Sequence, residues 1–205
     1  SYTGQVPVGA GVDGVLCGHV SRTDVTALIR GLGVPVVGLG VCSSSAWPSV
    51  SCNDGAVGRA AARHLLERGY RTLAFCKQRD VEQETLRLKG FQAEAEEAGA
   101  RFVLLAPPTG TPEQASAEAM REWIVPMIST LRIPIAIMAG DDLGAIPLVD
   151  TLVGCGYKVP EQVAVISAGN DPMLCDVAPV ALSSVDVRAH EVGHEGARLL
   201  DQMIE

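Results

Sequence analysis

The sequence predicts a doubly wound α/β fold, and three observations predict it. Short apolar runs alternate with longer amphipathic stretches along most of the chain. The runs are apolar at nearly every position, as suits strands of a parallel sheet that are covered on both faces. Gly69 and Gly99 close two of the amphipathic stretches, where a glycine ends a helix.

Taken in order, residues 14–17 and 35–39 read as the first two strands. Residues 55–68 read as a helix, because Val57, Ala61, Leu65 and Leu66 fall on one face. Residues 72–76 give a strand, then 82–98 a helix with Leu86, Phe91 and Ala95 on its apolar face. Strands at 102–105, 133–138 and 163–166 follow, separated by helices at 112–131 and 143–153. Pro126 lacks an N–H, so the first of these helices is expected to kink or split there. Residues 188–204 form a terminal helix. Residues 43–48, 107–112 and 169–172 read as loops, rich in Ser, Pro and Gly. In such folds ligands bind beyond the carboxyl ends of the strands, which directs attention to the loops after Leu39, Ser51, Cys76, Met138 and Ile166.

Composition narrows the function. The 205 residues carry 24 acidic and 16 Lys or Arg side chains, a net charge of −8. A phosphate backbone needs clustered Lys and Arg, so this segment is not expected to grip DNA itself. No apolar run approaches the roughly 20 residues of a membrane span, and the first residues lack the basic-then-apolar order of a signal peptide. The six cysteines (17, 42, 52, 76, 155 and 175) form no CxxC pair, and three lie in or beside apolar runs. Reduced cysteines and a cytoplasmic setting are therefore expected. Aromatics are scarce, eight in all, so Trp47 and Phe91 stand out as ring-stacking candidates.

Three motifs carry chemistry. His190, Glu191, Val192, Gly193 and His194 match the HExxH zinc helix, in which two histidines one turn apart share a metal and the Glu activates water. The extended form would need Gly at 197 and His at 200, where Ala197 and Leu200 stand. Gly193 also weakens the supporting helix. The stretch therefore reads as two exposed histidines on an amphipathic helix, with a zinc hydrolase as the rival and no metal or cofactor expected. Gly38 and Gly40 after a strand resemble the start of a dinucleotide fingerprint, but residues 44–48 read as loop, so no helix N-terminus would face a pyrophosphate. Finally, polar pairs close three apolar strands: Asn53-Asp54, Asp141-Asp142 and Asn170-Asp171, with Arg87 on the helix opposite. Carboxylates, amides and a guanidinium converging on one cleft suit the hydroxyls of a small polar ligand. Asp54 and Asp142 each read equally well as helix N-caps.

Residues 54–75, with their Asp, helix and Gly69-Tyr70-Arg71 lead into a strand, resemble the galactose/lac repressor family. So do Arg87, Gly90 and Phe91, and the Pro160-to-Ile166 approach to a ligand loop. Residues 182–186 with Glu191-Val192-Gly193 and Ala197, Leu199 and Leu200 are closer to its xylose-responsive branch, regulators that join the sensor to an AraC-type helix-turn-helix. The resemblance covers residues 12–205 and implies a two-lobed sensor of periplasmic-binding-protein type I that closes on a sugar. One lobe would hold residues 1–69 and 185–205, the other 70–184. It implies no catalysis, a monosaccharide effector held by Asp54, Arg87, Asp141 and Asn170, and an apolar wall from Trp47 or Phe91. It also implies a homodimer that contacts DNA only through a separate domain, and no membrane. Asp141-Asp142 replaces the family's Asn-Asp, and Gly169 stands where the family has a sugar-binding acid, leaving Asp141 or Asn170 as the acceptor. The family's first strand, helix and second strand have no counterpart before Gly14, so a piece of a longer regulator is expected. An exported solute-binding protein of the same fold is the alternative.

Overall fold

The computed structural model describes residues 11–18, 23–40, 47–108 and 117–205. By their contacts they divide into two units, Ser1–Cys52 with Arg188–Glu205, and Asn53–Val187.

The first unit is built on a parallel sheet of β1 (Val15–Cys17), β2 (Val36–Leu39) and β3 (Ser49–Val50), in that order. Alternation along the strands splits its side chains between two helices. Cys17 and Val36 pack with Ile29 of α1 (Thr23–Gly31), and Trp47 covers that cluster. The opposite face meets α7 (Ala189–Ile204), where Gly196 lets the helix settle on Leu39 and Leu16.

The second unit is a five-stranded parallel sheet in the order β5-β4-β6-β7-β8: Arg101–Leu105, Thr72–Cys76, Ile135–Ala139, Val163–Gly169 and Ser183–Asp186. From β4 the chain first adds β5 on one side and then β6 on the other. The order therefore reverses between β4 and β6, and a crevice is expected at their carboxyl ends. Helices cover both faces. Ala74, Cys76, Ile135, Ile137, Val163 and Val165 point toward α4 (Ala117–Ser129) and α5 (Asp142–Gly154), forming the main core with Ile124, Ile128, Leu148 and Leu152. Phe75 points the other way, toward α3 (Glu82–Glu97), and meets Phe91 edge-on with ring centroids 5.9 Å apart.

On that face α2 (Asp54–Glu67) packs on α3 with two glycines at the crossing. A Cβ on Gly58 would sit 2.8 Å from the Phe91 amide nitrogen and overlap the Arg87 carbonyl, and one on Gly90 would overlap Gly55. The crossing explains why the units part after Cys52, and not after residue 69 as the sequence suggested: α2 packs into the second unit. The return falls at Arg188, close to the expected 185.

The doubly wound parallel architecture is as expected, with differences in the short elements. Residues 49–50 and 183–186 are strands, and Thr23–Gly31 and Pro172–Val177 (α6) are helices, none of them on the list of elements read from the sequence. Each is short or polar, so periodicity is weak there. The strand expected at 133–138 starts at Ile135, after a proline that has no N–H for a ladder. Helix α4 runs through Pro126 without splitting, and its expected start at residue 112 lies outside the described residues. Cys76, Cys155 and Cys175 are reduced thiols. Cys42, the residues after Gly40 and most of the 43–48 loop lie outside the described residues.

Replacing Gly58 with Ala should force α2 and α3 apart and cost about 2–3 kcal/mol. Urea unfolding measures it, and a loss under about 0.5 kcal/mol would show that the crossing is looser than described.

Candidate functional site

The polar residues at the strand ends of the second unit form three hydrogen-bonded groups that meet along Gly140, Asp141 and Asp142, beyond the end of β6. Helix α2 is capped by Asn53, whose Oδ1 accepts from the Ala56 N–H at 3.0 Å. Helix α5 is capped by Asp141, whose Oδ1 accepts from the Gly144 N–H at 2.8 Å. The caps therefore sit one residue before Asp54 and Asp142. With the cap position filled, those two carboxylates turn inward, and both are buried.

Asp54 meets Arg87, whose Nε donates to its Oδ1 at 2.7 Å. Both side chains are almost wholly buried, at 1% and 3% exposure, so the pair has given up its hydration and depends on geometry to recover it. Arg87 Nη1 also donates to the Gly140 carbonyl at 2.7 Å, tying α3 to the end of β6. Its Nη2 makes no hydrogen bond among the described residues.

Asp142 collects three donors. Its Oδ1 accepts from the hydroxyls of Ser167 and Ser184, at 2.5 and 2.6 Å, and its Oδ2 from the Asp171 N–H at 2.9 Å. One carboxylate thus joins the start of α5 to β7, β8 and the turn into α6. It also accounts for Gly169, the residue found in place of an expected acid. Gly169 has φ of +144°, and a Cβ there would collide with the Asp142 carboxylate. Asp142 holds that space.

The loop after β4 contributes two residues that the sequence did not single out. Arg79 Nη2 pairs with Asp141 Oδ2, and both side chains are partly exposed. Glu84 is fully buried on α3 and accepts from the N–H groups of Gln78 and Arg79 at 2.9 and 2.8 Å. Burial pushes its carboxyl above the ordinary carboxylate range, against the downward pull of the two amides and of Arg79. Gln78 Nε2 donates to the Gly144 carbonyl at 2.8 Å, closing the loop onto α5. Glu84 gave no signal of its own in the sequence, standing among Arg79, Asp80, Glu82 and Gln83.

Of the sequence candidates, Asp54, Arg87 and Asp141 come together here. Asn170 stands beside them, exposed and left-handed at φ +57°, its N–H donating to Ser184 Oγ at 2.9 Å. Asp171 caps α6 through the Met173 N–H. Phe91 does not serve as a ligand wall. Its ring is fully buried, edge-on between Phe75 and Phe102, because its helix face is the apolar one. Trp47 belongs to the first unit, where the Arg30 guanidinium lies 6.0 Å from its ring centroid and its Nε1 has no partner among the described residues.

The HExxH stretch lies on α7 with both histidines exposed, and Glu191 accepts from Arg188 at 3.1 Å. Among the described residues no group of three His, Cys, Asp or Glu is placed to hold a metal ion.

Residues 62–205 match the family described as periplasmic binding protein-like domain. The chain belongs to that family. It is 30% identical over 194 residues to the HTH-type transcriptional regulator GntR of Pseudomonas aeruginosa, covering 93% of this chain and 55% of that protein. It thus spans about half the length of this relative. Two solved structures share the fold. The probable maltose operon repressor MalR of Staphylococcus aureus superposes with a TM-score of 0.78 at 16% identity, over 94% of this chain and 69% of that one. A LacI family regulator from Enterococcus faecium with bound ribose gives 0.75 at 22%, over 95% and 71%. The closeness expected to xylose-responsive AraC-type regulators has no support in these relatives of GntR, MalR and LacI type.

Replacing Asp142 with Ala strands a backbone N–H and removes the acceptor of two buried or half-buried hydroxyls. The expected cost is ~2–4 kcal/mol in urea unfolding. A loss under 1 kcal/mol would refute the three-donor account.

Proposed function

We propose that this chain is the effector-sensing domain of a transcription regulator, without catalytic activity, and that its effector is a monosaccharide or a close derivative. The observation that carries the proposal is Arg87: buried, fixed by Asp54 and Gly140, and with an Nη2 that no described residue accepts from, at the reversal point of the sheet. A preorganised guanidinium beside carboxylates that are already oriented suits recognition of sugar hydroxyls, since little side-chain entropy is left to lose. Asp141 and Asn170 complete the acceptor set, and Asp54 acts through its grip on Arg87.

Family membership supports this reading, as do the regulator names among the relatives and the ribose held by the Enterococcus protein. The relatives' names also favour a cytoplasmic regulator, and we expect it to act as a homodimer whose DNA contact lies in a separate domain. The net charge of −8 agrees with leaving DNA contact to that domain. No helix among the described residues is long and apolar enough to cross a membrane. Effector would shift the regulator between two arrangements only as far as its affinities for them differ.

Titration calorimetry against pentoses (ribose and xylose among them), hexoses and sugar acids tests the proposal. At least one class should bind with a 1:1 stoichiometry. Arg87→Lys, which keeps the charge but loses the planar fork, should weaken that binding tenfold or more. No binding across the panel by the full-length regulator would overturn the sensor reading, and unchanged affinity in the Lys variant would overturn the site.

A further inference from the structure

Helix α3 begins without a side-chain cap. Val81 occupies the N-cap position and has no side chain able to accept a hydrogen bond, unlike Asn53, Asp141 and Asp171 on α2, α5 and α6. Glu84 stands three residues on, where a helix-start carboxylate ordinarily reaches back to the N–H of the cap residue. Here it reaches further. Its two oxygens take the N–H groups of Gln78 and Arg79, so the carboxylate lies under the loop between β4 and α3 and pins its backbone. The neighbouring sequence leaves room for this: a Cβ on Gly140 would lie 2.6 Å from Glu84 Oε1.

The residue so pinned is Arg79. One of its nitrogens pairs with Asp141, while Nε and Nη1 make no hydrogen bond among the described residues, and the side chain is 35% exposed. A full buried carboxylate is an expensive way to fix a solvent-facing loop, because its desolvation must be offset by the amides it accepts. The cost makes sense if the loop's position matters.

We propose that Arg79 contacts the effector, its unengaged Nη1 donating to an oxygen of a vicinal diol or a carboxylate, and that Glu84 is the positioning residue that holds it there. The proposal rests on the sensor reading above. Arg79 starts from Asp141, which already neutralises its charge and orients its plane. A ligand oxygen bound at Nη1 keeps that pair intact. The groups facing Glu84 are Arg79 and Asp141 across the loop and the buried Cys76 thiol at the end of β4, itself pushed up to about 12 by burial.

Two measurements separate the parts. The first needs no effector: amide exchange at Gln78 and Arg79, together with the Arg79 Nε–H signal, read by NMR in the full-length protein. In Glu84→Gln one amide N–H would face the new NH2 group, so protection at these two sites should fall at least tenfold while amides in β6 and β7 keep theirs. Gly140→Ala, which presses on the same carboxylate, should reproduce the effect if Glu84→Gln does not fold. Retained protection in both variants would overturn the positioning role whatever the protein binds. The second uses the member of the sugar panel that wild type binds. Arg79→Ala should weaken it tenfold or more, and Glu84→Gln should add nothing further in the Arg79→Ala background. Equal effects on neutral sugars point to the diol, and a loss confined to sugar acids points to the carboxylate. Unchanged affinity in Arg79→Ala would overturn the contact. A panel in which nothing binds wild type would count against the sensor reading and the contact together, while the exchange data still decide the role of Glu84.

Discussion

The buried pair of Arg87 and Asp54 is the constraint on which the second unit's polar face depends. A guanidinium taken out of water has five N–H groups to satisfy and a charge to balance, and an unpaired one would cost several kcal/mol. Asp54 meets one nitrogen and the Gly140 carbonyl another. Those partners come from the start of α2 and the end of β6, so the pair fixes where both must lie relative to α3. The glycines at the α2–α3 crossing follow from the same demand. Gly58 packs against the Arg87 carbonyl itself, and a larger residue there would push Arg87 away from Asp54. Truncating either partner would leave the other charge buried alone, so their loss would weaken both fold and site.

The larger elements were legible because their residues obey simple periods. The central strands of the second unit are apolar on both faces, and the helices α2 and α3 carry an apolar stripe followed by a glycine. The elements not read from the sequence are those in which burial leaves little pattern. β3 has two residues, and β8 is a sheet-edge strand of two serines, a valine and an aspartate. α6 has six residues and no buried side chain. The boundary between units was misplaced for a different reason. Nothing in the amphipathicity of α2 says which sheet its apolar face will cover; that is settled by the fit of Gly58 and Gly90, a matter of backbone proximity that only the folded structure shows.

The candidate site was legible in part, by residue type more than by role. Acidic and amide residues at strand ends pointed to loops whose polar groups do come together, Asp54 on Arg87 and Asp141 one residue past the Gly140 carbonyl that Arg87 also holds. The roles within each pair were less clear. Asp54 and Asp142 looked like caps, yet Asn53 and Asp141 perform that task and free their neighbours to turn inward. Phe91 was placed by its scarcity as an aromatic, and burial overrules that: a ring on the apolar face of α3 belongs to the core. Arg79 and Glu84 left no pattern at all, since their pairing joins two residues of one loop and helix to Asp141 across 62 positions of sequence.

Gly169 shows how one substitution can reassign another. Viewed alone, a glycine in place of an acid reads as a lost ligand contact. In the folded chain the space beside it is filled by the Asp142 carboxylate, which takes the Asp171 N–H and the hydroxyls of Ser167 and Ser184. An acid at 169 would have to share that space with a second carboxylate, and two like charges at such a distance repel strongly where water is scarce. The glycine is thus a condition of the Asp142 network. That network in turn holds β7, β8 and the turn bearing Asn170, so a residue that contributes no side chain still governs where Asn170 can stand.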